Sequence, residues 1–133
     1  MRTLLRPAAP AVALAATLAL TAPALGHQTV TDRGVAVTMH VLPADEPRAG
    51  QPSTIVVVRV RPPKGGRFTF RACTCRVKVS DASGHVLLSK RTGKRTTFTF
   101  PAAAAYEITY SGSYRAKGAK KRSFRTAFAL RAT

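Results

Sequence analysis

From residue 35 onward the chain alternates apolar and polar positions with a period of two, interrupted at short intervals by turn-forming clusters. The segment VAVTMHVL (35–42) sets Val35, Val37, Met39 and Val41 on one parity and Ala36, Thr38, His40 and Leu42 on the other. That is the pattern of a half-buried strand, because successive side chains of a strand point to opposite faces. STIVVVRVR (53–61) is β-branched and then alternates with Arg59 and Arg61, so its end reaches solvent. CTCRVKV (73–79) sets Cys73, Cys75, Val77 and Val79 on the apolar parity, and HVLLSK (85–90), TTFTF (96–100) and YEITYSGS (106–113) follow. The last run, SFRTAFALRA (123–132), places Phe124, Thr126, Phe128 and Leu130 on one face with Arg125 and Arg131 on the other. PADEPRAGQP, RPPKGG, DASGH, RTGKR and RAKGAKK supply the turns between them. About seven short strands with no helical period predict an all-β, immunoglobulin-like β-sandwich. Four alanines at 102–105, held between Pro101 and a strand, are too few to nucleate a helix. Tyr106 then falls where such sandwiches carry a tyrosine corner.

The N-terminal end has a different character. Arg2 and Arg6 precede a run of Ala, Leu and Val, and ALG stands before His27. A charged n-region, an apolar h-region and a small-x-small site predict a secretory signal peptide over 1–26. Pro7, Pro10 and Pro23 break the run below the roughly 20 apolar residues of a membrane span, so no transmembrane segment is expected after cleavage. Residues 27–34 are then an N-terminal arm and 35–133 the sandwich domain. The expected location is secreted or periplasmic, in any case extracytoplasmic.

Charge narrows the classes of partner. The 22 basic side chains face only five acidic ones, a formal net charge of +17, and removal of Arg2 and Arg6 lowers it by two. Most cations take the polar parity of strands or sit in turns, and the phenylalanines fall on core parity, leaving no stacking platform for single strands. Nucleic acid is therefore not expected as a partner. The densest cluster, with Arg115, Lys117, Lys120, Lys121 and Arg122 around a hairpin turn, suits anionic envelope polymers or lipid surfaces. This gives an alternative function, a basic envelope-associated adhesion or scaffold module. Its structural counterpart is a solvated loop.

Hydrolysis and acyl transfer have few tools here. There are three histidines (His27, His40, His85) and five carboxylates, without G-x-S-x-G, a phosphate-cradling Gly loop or H-E-x-x-H, so an enzyme is not expected. Asp45 and Glu46 are adjacent in a turn and do not form a catalytic pair. Three readings of Cys73 and Cys75 stand side by side. Export favours a disulfide, yet residues two apart in a flat strand lie about 6.5–7 Å apart, at the far edge of bridging geometry, so a bend at Thr74 is required. Alternatively, paired thiolates chelate Cu(I) or Zn(II) with a further histidine or methionine. The third reading is two small core residues. A C-x-C pair cycling between thiol and disulfide is a further functional alternative. Cleavage after Gly26 makes His27 a bidentate nitrogen donor suited to Cu(II). His27 with His40 forms a brace more easily than His40 with the inward cysteines, because His40 lies on the opposite parity.

With these residues laid out, the chain resembles secreted immunoglobulin-like domains of the YtkA-like and CopC-like families. The similarity lies in His27, TMHVLPADEPRAG (38–50), CTC (73–75) and FPAAAAYEITYSG (100–112). CopC-like relatives bind periplasmic copper through an N-terminal histidine with further His, Asp or Met ligands. The resemblance implies copper as cofactor, His27 and His40 as ligands, and copper-handling proteins as partners.

Overall fold

The structure, a computed structural model, describes residues 27–133, and the expected signal peptide over 1–26 lies outside them. Eight strands run in chain order: β1 (His27–Asp32), β2 (Val35–Leu42), β3 (Pro52–Arg61), β4 (Arg76–Asp81), β5 (Val86–Arg91), β6 (Arg95–Thr99), β7 (Ala105–Arg115) and β8 (Lys121–Arg131). They form two antiparallel four-stranded sheets, ordered β1-β2-β3-β6 and β5-β4-β7-β8. Chain neighbours β3 and β4 lie in different sheets, as do β5 and β6, and these crossings wrap the sheets around a shared core as in immunoglobulin-like sandwiches.

The alternation read from the sequence is what buries that core. Val35, Val37, Met39 and Val41 of β2 are fully buried, and opposite them stand Val77 and Val79 of β4, Ile108 and Tyr110 of β7, and Phe128 and Leu130 of β8. Each such side chain contributes about 1.5–3 kcal/mol of apolar transfer. β3 departs from strict alternation. Thr38 pairs with Arg59 but Met39 pairs with Val57, so Val58 is an extra residue that bulges out to 43% exposure. The bulge lets both Val57 and Val60 face the core although they are three apart.

Tyr106 makes the expected corner: its hydroxyl donates to the Ala102 carbonyl at 2.7 Å and accepts from the Ala102 N–H at 3.1 Å. This ties the connection from β6 to the start of β7. Tyr110 is also internal; burial pushes its phenol up from the ordinary value, and its O–H donates to the Gly93 carbonyl at 3.2 Å.

Two local expectations are corrected. Residues 27–34 are not an arm but strand β1 and its turn. Arg33 and Gly34 have φ of 50° and 82°, so both central residues of the two-residue hairpin are left-handed, as the twist of paired strands demands. Val30 packs on the core, while Gln28 donates to the Ala129 carbonyl and Asp32 Oδ2 accepts from the Arg125 N–H at 2.8 Å. The β1 edge of one sheet is thereby stitched to the β8 edge of the other. The second correction is at CTCRVKV, where the strand begins at Arg76 and residues 73–75 precede it.

Candidate metal centre

Because β1 and β2 are a tight hairpin, their register is fixed, and it places His27 directly opposite His40. Both belong to the outward parity, next to the Thr29–Thr38 pair whose hydroxyls lie 2.8 Å apart. The imidazoles meet edge to face, with centroids 4.0 Å apart and planes at 78°. His27 Nδ1 sits 2.6 Å from His40 Nε2 and 3.1 Å from His40 Nδ1, against the Cε1 edge of that ring.

The third member comes from the turn after β2. Asp45 has φ of 59°, and its N–H donates to the Val41 carbonyl at 2.8 Å, folding the chain back on the strand it has just left. This return brings Asp45 Oδ1 to 3.1 Å from His40 Nδ1, with His40 28% and Asp45 36% exposed. One ligand atom from each of His27, His40 and Asp45 lies within 4.8 Å of the others. Metal–ligand bonds of about 2 Å hold neighbouring ligands about 3–4 Å apart, so small rotations close this set on an ion. Two imidazole nitrogens and a carboxylate oxygen are a donor set for Cu(II) or Zn(II), and the outward position leaves further coordination sites open.

Of the four residues assigned to metal from sequence, the structure joins His27 and His40 and separates them from Cys73 and Cys75. The cysteines are a disulfide with Cα atoms 5.1 Å apart, which leaves no thiolate to bind a metal. Their Cα distance is well inside bridging range because residues 73–75 are bent off the strand. They also lie at the far end of the sandwich. Asp32 is level with them through Arg125 and Ser111, and β1 carries the chain about 16 Å from Asp32 to His27 at ~3.3 Å per residue. Cys75 is fully buried, Cys73 half-buried, and the bridge rests on Gly112 of β7.

Met39, on the inward parity, is fully buried and takes no part. His85 is exposed in its turn and lies 3.3 Å from Asp81. Desolvation pushes the Asp81 carboxyl up, but hydrogen bonds from the His85 and Ser83 N–H groups and the nearby His85 imidazole outweigh it and hold it below the ordinary value. Arg115, Lys117, Lys120, Lys121 and Arg122 are all exposed on the β7–β8 hairpin, and Arg115 Nη1 donates to the Ala119 carbonyl at 3.2 Å.

Asp45 is the member of this cluster that sequence reasoning missed. Its signal is the spacing His40-x4-Asp45 across a proline-containing turn, short enough to return the carboxylate to its own strand. Comparison with protein-family models, curated proteins and solved structures finds no match to this chain.

Proposed function

We propose that this protein is a non-enzymatic, exported β-sandwich that binds copper outside the cytoplasm and passes it to copper-handling partners. The single observation that supports this most is the nitrogen that His27 turns toward His40. It is Nδ1, the one that closes a six-membered chelate ring with an α-amine on the same residue. Processing between Gly26 and His27 would create that amine, completing a donor set of three nitrogens with Asp45 alongside. The resemblance of the N-terminal segment to CopC-like proteins points the same way. Copper bound there would be held by N and O donors, which favours Cu(II) over Cu(I).

The test is calorimetric and spectroscopic titration with Cu(II) of the processed protein beginning at His27, beside a form that retains Gly26. One equivalent binds the first tightly, with a nitrogen-rich paramagnetic spectrum, and the Gly26 form binds more weakly. His27→Ala weakens binding by more than the ~10–100-fold typical of losing an outer-sphere partner. An affinity indifferent to both changes sinks the reading.

A further inference from the structure

At the opposite end of the molecule from the histidines, the outer face of the second sheet carries a cleft of about 680 Å³. Strand register builds its floor. Arg76, Ser111 and Arg125 stand in one cross-strand row, and Ser113 faces Ser123 in the next. Lys121 closes one side, while Arg33 reaches in from the β1–β2 turn and Thr74 from between the cysteines.

The electrostatics of this cleft are unbalanced. Arg33, Arg76, Lys121 and Arg125 are all exposed, and among the described residues none of them forms an ion pair. Arg76 Nη1 donates to Ser89 Oγ at 3.3 Å, leaving other guanidinium donors unused. The one carboxylate lining the cleft, Asp32, is engaged by the Arg125 N–H. Four cations beside four hydroxyls, from Thr74, Ser111, Ser113 and Ser123, form a surface of donors for tetrahedral oxyanions, because guanidinium forks match their oxygens and hydroxyls fill the gaps.

Other ligands fit less well. The aromatic ring nearest the cleft, that of Phe124, is buried, so no base can stack there. Leu42, Val58, Val86 and Leu87, the large apolar residues exposed among the described residues, lie outside it, so nothing in the cleft inserts into a bilayer. The positive row also continues past the cleft, since Arg91 of β5 pairs with Arg76. From Arg91 to Arg125 it crosses four strands, about 14 Å at ~4.8 Å per strand, which is longer than one phosphate.

We infer that this cleft binds a linear phosphate polymer, running across the strands from Arg91 over Arg76 to Arg125 and Arg33. The site is independent of the metal centre and differs from the hairpin cluster, sharing only Lys121 with it.

The test is titration of the purified protein with inorganic tripolyphosphate and long-chain polyphosphate at several salt concentrations. Arg76→Gln with Arg125→Gln weakens long-chain binding at least about tenfold and lowers the slope of log affinity against log salt by about two. Lys117→Gln with Lys120→Gln, of equal charge change, leaves most of the affinity. Circular dichroism verifies that both variants are folded, and an Arg76→Lys, Arg125→Lys form with the charge retained recovers part of the binding. Equal losses in the two double-Gln variants, or no loss in the first, overturn the inference. Tighter binding of a single-stranded oligonucleotide or of phosphatidylglycerol vesicles also overturns it, in favour of those ligands.

Discussion

A Cβ placed on Gly112 would stand 2.6 Å from the sulfurs of both Cys73 and Cys75. The glycine in β7 is therefore the seat of the disulfide, and its lack of a side chain lets the bridge lie flat on the sheet beside Phe124. Substitution Gly112→Ala forces one of them to move. Overpacking of this kind costs about 1–3 kcal/mol. Denaturant unfolding under oxidising conditions reads that loss, and the same substitution in a Cys73→Ser, Cys75→Ser background is milder.

The bridge closes a very short loop, so its effect on the unfolded chain is small. Chain-entropy arguments for a three-residue loop give about 1.5 kcal/mol. Cys73→Ser with Cys75→Ser is expected to lower stability by about that much while leaving Cu(II) affinity unchanged, since the sulfurs lie at the other end of the sandwich. Urea unfolding and copper titration on one preparation measure both. A parallel loss of copper affinity would place the cysteines back in the metal set.

In the proposed copper site Asp45 would supply a carboxylate oxygen beside His40. Asp45→Asn keeps the shape and the turn but removes the anionic oxygen, and Cu(II) affinity is expected to fall by at least the ~10–100-fold typical of losing an outer-sphere partner. Asp81→Asn, equally conservative and also beside a histidine, leaves it unchanged. Titration of the two variants side by side separates ligation from a general loss of negative charge.

Asp81 has a consequence in acid instead. Its carboxyl is held below the ordinary value in the folded protein by the His85 and Ser83 N–H groups, whose hydrogen bonds measure 2.9 Å each. A depressed folded-state pKa contributes stability above the unfolded value of about 4, and that contribution disappears as pH falls through the lower folded value. The difference in thermal midpoint between wild type and Asp81→Asn is therefore expected to be constant near neutrality and to shrink below about pH 4.

Much of the sandwich was legible because one face of each main strand is apolar, so the parity of Val35, Val37, Met39 and Val41 reports the core directly. β1 was not, since HQTVTD offers only Val30 to the core, and its strand character comes from pairing with β2 and from side chains bonded to the β8 backbone. Parity put Cys73 and Cys75 on one face of a strand; in the structure both sulfurs do lie against the core at Gly112, but residues 73–75 precede β4, and their bend makes the bridge. The histidine pair was legible as residues but not as a register. What brings His27 to His40 is the left-handed Arg33–Gly34 turn, whose length sets every cross-strand partner up to the end of the hairpin. Asp45 escaped notice because a carboxylate in a turn has a local explanation, and only the turn's fold back to the Val41 carbonyl, 2.8 Å from the Asp45 nitrogen, shows where it points.

The stitching of β1 to β8 by Gln28 and Asp32 bears on how the protein ages. Loss of residues 27–32 to proteolytic trimming would remove the histidine end and uncover two strand edges at once, those of β2 and β8. Bared edges recruit strands from other molecules. A trimmed molecule would thus leave solution as aggregate instead of persisting as an inert, metal-free competitor.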